Sequence, residues 1–158
     1  MRRTARQRAE LVGRLYDEHG ASLFRYALML LADHAAAEDA IQQVFTALMR
    51  GGTIENPAHY LRRAVRNECY STLRRRTTQP VLREPLLEPI DEETTSADER
   101  IALERALVTL PAEQREVVHL HVFEGMTFQE IAAATGDSIN TAASRYRYAL
   151  EKLRKELA

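Results

Sequence analysis

The sequence predicts an all-α protein: two small helical domains joined by an acidic, proline-containing linker. Three observations predict it. Apolar residues recur at three- and four-residue spacing along nearly the whole chain, with none of the sustained alternation that a half-buried strand needs. That pattern fails between Thr77 and Ser96, where Pro80, Pro85 and Pro89 remove amide donors and the acidic residues repel one another. Beyond the break, the segment from Thr127 to Ala142 has helix-turn-helix spacing. Ala132 and Ala142 let two helices approach closely, and Gly136 permits a turn with positive φ. The expected boundaries are 1–77 for the first domain, 78–96 for the linker and 97–158 for the second. At 158 residues in all, each domain can hold only a modest core.

Leu11, Leu15, Leu23, Tyr26, Ala27 and Leu30 predict two helices interrupted near His19-Gly20. Ala37, Ile41, Val44, Phe45 and Leu48 form the next apolar stripe, which Gly51-Gly52 should stop. After the turn-like stretch Thr53 to Pro57 comes a long helix with Tyr60, Leu61, Ala64, Val65 and Leu73 inward and arginines elsewhere. In the second domain, Ile101, Leu103, Leu107 and Leu110 open one helix. Pro111 suits the first turn of another, which carries Val117, Val118 and Val122. These two helices and the helix-turn-helix make a four-helix module. Thr127 and Glu130 fit a capping box on its third helix, and Ser138 or Asp137 can cap the fourth.

The net charge of −1 conceals segregation. Arg62, Arg63, Arg66, Arg74, Arg75 and Arg76 stand against a single carboxylate, Glu68, and Glu84, Glu88, Asp91, Glu92, Glu93, Asp98 and Glu99 follow. A basic stretch beside an acidic one suggests a polyanion-binding face and a solvated connector. The lone cysteine, Cys69, can form no internal disulfide, the apolar run Ala27 to Ala32 is too short to span a bilayer, and Met1-Arg-Arg-Thr-Ala-Arg lacks an apolar h-region. A cytoplasmic protein with no membrane insertion is therefore expected. No nucleotide-binding or nucleophile-elbow pattern occurs, Glu38 and Asp39 are adjacent rather than facing, and His119 and His121 diverge on a helix without a cysteine partner. No catalytic residue, cofactor or metal is expected.

Three blocks, in order, carry a family resemblance. Leu15-Tyr-Asp-Glu-His-Gly-Ala-Ser-Leu-Phe-Arg-Tyr-Ala27 with Ala37-Glu-Asp-Ala-Ile-Gln-Gln-Val-Phe45 looks like sigma-factor regions 2.1 and 2.2. Tyr60-Leu-Arg-Arg-Ala-Val-Arg-Asn67 through Arg76 looks like regions 2.3 and 2.4. Leu110-Pro-Ala-Glu-Gln-Arg-Glu-Val117, Thr127 to Gly136 and Asn140 to Leu153 look like region 4. Together they resemble the extracytoplasmic-function (ECF) sigma factors of the sigma-70 family, which recruit bacterial RNA polymerase to promoters. The resemblance implies a non-enzymatic subunit. Its first domain would bind the clamp helices of the largest polymerase subunit and melt the −10 element. Its second would grip the −35 element and meet the flap of the second-largest subunit. Such factors are commonly held by an anti-sigma factor. Gln43 departs from a usual carboxylate, Tyr60 from a common tryptophan, Asp137 from an aliphatic residue, and Ala143 and Tyr148 from frequent basic residues.

The resemblance assigns roles by position. Glu38, Asp39, Gln42 and Gln43 lie on a helix whose apolar stripe is Ile41, Val44, Phe45 and Leu48, so most of them should face outward; the resemblance has them engage arginines of polymerase, against the plain reading of a solvated helix face. Tyr60, Arg62, Arg63, Arg66, Asn67, Arg74, Arg75 and Arg76 would hold the opened strand, arginine forks on phosphates and rings under unstacked bases. For Tyr60 the alternative is a core position, and for Asn67 a cap or backbone bridge. The stretch Arg50 to Asn56 corresponds to the −10 specificity loop, which forms a pocket for a flipped base, or is a simple helix connection. On the recognition helix Ser138, Asn140, Thr141, Ser144, Arg145 and Arg147 are the −35 candidates, with Lys152 and Arg154 gripping the backbone. The rival functions are a helix-turn-helix regulator that binds duplex operators without polymerase, and a regulatory protein of the anti-sigma type.

Overall fold

The computed structural model describes residues 4–76, 85–87 and 96–158. The described residues are helical and contain no strand. Most of the acidic linker, including Pro80, Pro89, Glu84, Glu88, Asp91, Glu92 and Glu93, lies outside them. The chain divides into two compact units, Met1–Gln79 and Pro80–Ala158.

The first unit is a three-helix bundle of α1 (Ala5–Leu31), α2 (His34–Met49) and α3 (Pro57–Arg75). Thr4 opens α1 with a reciprocal box: its hydroxyl accepts from the Gln7 amide at 3.2 Å while the Gln7 side chain accepts from the Thr4 amide at 3.0 Å. Contrary to the sequence expectation, α1 runs unbroken through His19-Gly20. A helical glycine costs only about 1 kcal/mol relative to alanine. Burial of Leu15, Leu23 and Tyr26 on either side outweighs that, and Gly20 itself is buried beside the Tyr16 ring. Asp33 caps α2 and Asn56 caps α3, each accepting from an amide three residues on, and Pro57 takes the first helical position of α3. Tyr26, Leu30, Leu31, Leu48, Leu61 and Val65 form the centre of the core, with Cys69 buried at its end.

The second unit holds α4 (Ala97–Thr109), α5 (Ala112–Val118), α6 (Phe128–Thr135) and α7 (Ile139–Leu157). A π-helical turn, His119–Phe123, prolongs α5, closed by the Glu124 amide donating to the His119 carbonyl. The expected stripe of α4 is shifted: Ile101 is exposed, whereas Glu104, Ala106 and Leu107 are buried. Glu104 is satisfied there because its carboxylate accepts from the Leu87 amide at 3.1 Å; Leu86 and Leu87 are themselves buried. The core is Leu107, Leu110, Val117, Leu120, Ile131, Ala142 and Ala149. His121, Phe128 and Tyr146 stack beside it, with His121 bonded through Nδ1 to the Met126 carbonyl oxygen. Gly136 ends α6 at φ +77°, its amide donating to the Ala132 carbonyl. That left-handed turn admits α7 at close range, which is why Ala132 and Ala142 are both buried.

Candidate nucleic-acid and polymerase interfaces

The buried residues of α3 are Leu61, Val65 and Cys69, spaced four apart, so one face of the helix is committed to the core. Opposite them stand Tyr60, Arg63, Asn67 and Arg74, at separations of three, four and seven residues, and all are exposed. Tyr60, at 47% exposure, is therefore a surface ring and not a core residue. This stripe combines an aromatic face, two guanidinium groups and an amide. The other arginines are differently placed. Arg66 lies over the Tyr70 ring at 4.5 Å, and Arg62 and Arg66 are half-buried on the flank. Arg75 reaches back to the hydroxyls of Ser71 and Thr72 on its own helix. Arg76 donates to the Leu31 carbonyl at 2.9 Å, which closes the C-terminal end of α1.

Glu38, Asp39, Gln42 and Gln43 are exposed on α2 because Ala37, Ala40, Ile41, Val44 and Phe45 turn inward. Glu38, Asp39 and Gln42 form one wall of an open groove of about 980 Å³ between α1 and α2; Gln43 stands outside it. Tyr16 and Phe24 supply apolar surface on the α1 side, the Tyr16 ring meeting Phe45 edge-on at 5.2 Å. A polar wall over an aromatic floor suits a helical partner carrying cations.

On α7, Ala142, Ala149 and Leu153 face the core, leaving Asn140, Ser144 and Arg147 on the outward side at four- and three-residue spacing. Ser138 is the helix cap: its Oγ accepts from the Thr141 amide at 3.0 Å and donates to the Thr141 hydroxyl at 2.9 Å. Arg147 sits over the neighbouring Tyr148 ring at 5.3 Å. Arg145 lies off the outward stripe. Its Nη1 donates to Asp137 Oδ2 at 2.5 Å, with both side chains about three-quarters buried. Lys152 donates to the Thr109 carbonyl at 2.7 Å.

Comparison with known proteins gives the family. Residues 15–79 match the family model "Sigma-70 region 2", and residues 100–153 match "Sigma-70, region 4". The ECF RNA polymerase sigma factor SigL of Mycobacterium tuberculosis is 32% identical over 159 residues, covering 94% of this chain and 90% of SigL. The chain belongs to the ECF sigma factors. RNA polymerase sigma-E factor of Streptomyces coelicolor is 36% identical over 141 residues, covering 86% of this chain and 80% of that protein. Among solved structures, the sigma factor RpoE of Bartonella quintana, in complex with the anti-sigma factor NepR, superposes with a TM-score of 0.66 at 26% identity. That likeness spans 96% of this chain and 95% of RpoE.

Two features of this sigma factor escape the sequence. Asp137, a possible cap by its position, is instead the partner of Arg145, eight residues on. Arg8, ahead of the region 2 match, reaches the far end of α2: its Nε donates to the Leu48 carbonyl at 2.8 Å and its Nη1 to the Gly52 carbonyl at 2.6 Å. The short-range signal that does exist is Thr4-Ala-Arg-Gln7, a capping-box pattern that fixes the turn carrying Arg8. No helix among the described residues is long and apolar enough to cross a membrane.

Proposed function

We propose that the chain acts inside the cell as a dissociable, non-catalytic subunit of bacterial RNA polymerase and divides promoter recognition between its two units. Unit 1 engages the clamp helices of the largest polymerase subunit through the α1–α2 groove, with Glu38, Asp39 and Gln42 as the polar contacts and Gln43 at its edge. The same unit holds the opened −10 strand along α3. Arg63 and Arg74 grip phosphates, Tyr60 stacks a base and Asn67 reads a base edge. The flanking Arg62 and Arg66 add charge, while Arg75 and Arg76 act chiefly on the helices themselves. The loop 50–56 accepts a base flipped from the −10 element. Unit 2 sets α7 into the major groove at the −35 element, where Asn140, Ser144 and Arg147 face the bases and Ser138 and Thr141 lie at the leading end. It also docks on the flap of the second-largest subunit. An anti-sigma factor is a further partner, an idea supported by the relative solved with NepR.

The observation that best supports this reading is the outward stripe of α3. A protein that only grips duplex DNA has no use for an exposed ring flanked by arginines on a unit separate from its helix-turn-helix. Run-off transcription with purified core polymerase, with and without the chain, tests it. Promoter-dependent transcripts are expected only when the chain is present. Tight sequence-specific duplex binding by the chain alone, without such transcripts, would move the answer to an operator-binding regulator.

A further inference from the structure

The acidic connector carries one apolar pair among its charges: Pro85-Leu86-Leu87 stands between Glu84 and Glu88. Leu86 and Leu87 are 6% and 7% exposed, and they belong to the second unit, ahead of α4. Glu104 on α4 is buried as deeply, on the helix face that also carries Leu107 three residues on. A buried carboxylate is costly unless it is hydrogen-bonded. Here Oε1 accepts from the Leu87 amide at 3.1 Å, a donor seventeen residues back in the chain. Two buried leucines and one buried acceptor thus fasten the connector to unit 2 well before α4 begins.

Chain length gives the consequence. With 85–87 fastened, the tether between the units is residues 77–84; without the fastening it is residues 77–95. A fully extended chain covers at most about 3.6 Å per residue, so Arg76 can lie about 32 Å from Pro85, or about 72 Å from Ser96. A compact unit of this length is about 30 Å across. The reach from the end of α3 to the recognition helix is therefore limited to about 60 Å when fastened and about 100 Å when released. The −10 and −35 elements stand about 25 base pairs apart, or about 85 Å of straight duplex at 3.4 Å per base pair. The fastened chain is too short to hold both elements, and the released chain is long enough.

We propose that Leu86, Leu87 and Glu104 form a strap that withholds simultaneous engagement of the two promoter elements in the free chain and opens in the polymerase–promoter complex. This rests on the sigma-factor reading above and adds a regulatory step to it. None of the three residues belongs to the surfaces assigned to DNA or polymerase.

The test follows hydrogen exchange by mass spectrometry over peptides covering 85–87, in the free full chain and in holoenzyme on promoter DNA. In the free wild type this segment should be protected, and in the promoter complex its protection should be lost. Glu104→Ala, and Leu86→Ser combined with Leu87→Ser, should each speed its exchange in the free chain by about tenfold or more. Glu104→Gln, which keeps an acceptor oxygen, should retain most of the protection. Spin labels at Arg14→Cys and Lys155→Cys give a second readout: the strap-broken chains should show distances extending beyond the wild-type distribution. An unprotected 85–87 segment in the free wild type overturns the proposal, and so does protection that persists in the promoter complex. A distance distribution unchanged by both strap-breaking variants does the same. Should Glu104→Ala loosen α4 to α7 throughout, the serine pair, which lies outside the helices, decides. If the wild type gives no promoter-dependent transcript, the sigma-factor reading fails. If it transcribes while 85–87 stays protected on the promoter, only the strap falls.

Discussion

By sequence Arg145 is a candidate for reading a base edge, yet its guanidinium is held by Asp137 on the inner flank of the recognition helix. Removing either partner therefore tests whether the pair is a latch on the turn between α6 and α7. The bond is charge-assisted at 2.5 Å, with side chains 29% and 25% exposed. A fully exposed pair contributes roughly 0.2–1 kcal/mol and a hydrogen bond to a charged group roughly 1.5–3 kcal/mol, so after discounting for solvent screening the coupling should be about 1–2 kcal/mol. The measurement is a double-mutant cycle of Asp137→Ala, Arg145→Ala and the double variant. Its readout is hydrogen exchange over the turn and the two helices it joins, because a whole-chain melt mixes two units. A coupling below about 0.3 kcal/mol refutes the latch. The latch also makes a functional prediction. Arg145→Ala should weaken matched and mismatched −35 elements alike, since it loosens the whole recognition helix, and more than Arg74→Ala does. Loss confined to one base pair would return Arg145 to the base-reading set.

Asp39→Ala combined with Gln42→Ala should reduce retention of the chain on core polymerase while leaving the far-ultraviolet circular dichroism unchanged, because both side chains are exposed. A pull-down at wild-type level removes the α2 groove as the polymerase contact. Gly136→Ala should lower the stability of unit 2 by about 1 kcal/mol; the cost comes from φ +77° alone, since nothing lies within 4 Å of the added Cβ. A variant as stable as wild type in urea would mean that the turn relaxes. Arg74→Ala and Arg76→Ala should separate two kinds of arginine. Replacing the exposed Arg74 should reduce the salt slope of open-complex formation by about 0.7 for each phosphate it no longer neutralises. Arg76→Ala should leave that slope alone and instead raise exchange at the end of α1, where it donates to Leu31.

What could be read from the sequence was what is local. Periodicity found the helices, Gly51-Gly52 and Gly136 marked true ends, and Thr127 with Glu130 forms the expected box. The same rule misled at Gly20, where a locally unfavourable residue is outvoted by Leu15, Leu23 and Tyr26. The outward placing of Glu38, Asp39, Gln42 and Gln43 followed from the apolar stripe beside them. Nothing local could show that Arg8 meets Leu48 forty residues away, or Arg76 Leu31 at forty-five, because no short-range pattern encodes either distance.

Those distant contacts share a physical cause. Helices α1, α2 and α4 each carry no basic residue in the last turn, so their terminal carbonyls and the negative end of each dipole lack a cation from their own sequence. Each receives one from elsewhere in its unit. Arg76 closes α1, Arg8 closes α2, and Arg115 and Lys152 serve the end of α4 through the carbonyls of Leu110 and Thr109. Helices α3 and α7, whose arginines and lysines are the DNA candidates, carry basic residues in their own last turns. Counting positive charge along the chain therefore overstates the charge free for nucleic acid, because part of it serves as interhelical capping. Of the arginines proposed for nucleic acid, Arg63 on α3 and Arg147 on α7 are exposed opposite a buried stripe and away from the helix ends, whereas the exposed Arg74 and Arg154 stand in the last turns of α3 and α7. In this fold an arginine's task is set by which face of its helix it occupies and which helix end lies within reach, more than by the basic run in which it stands.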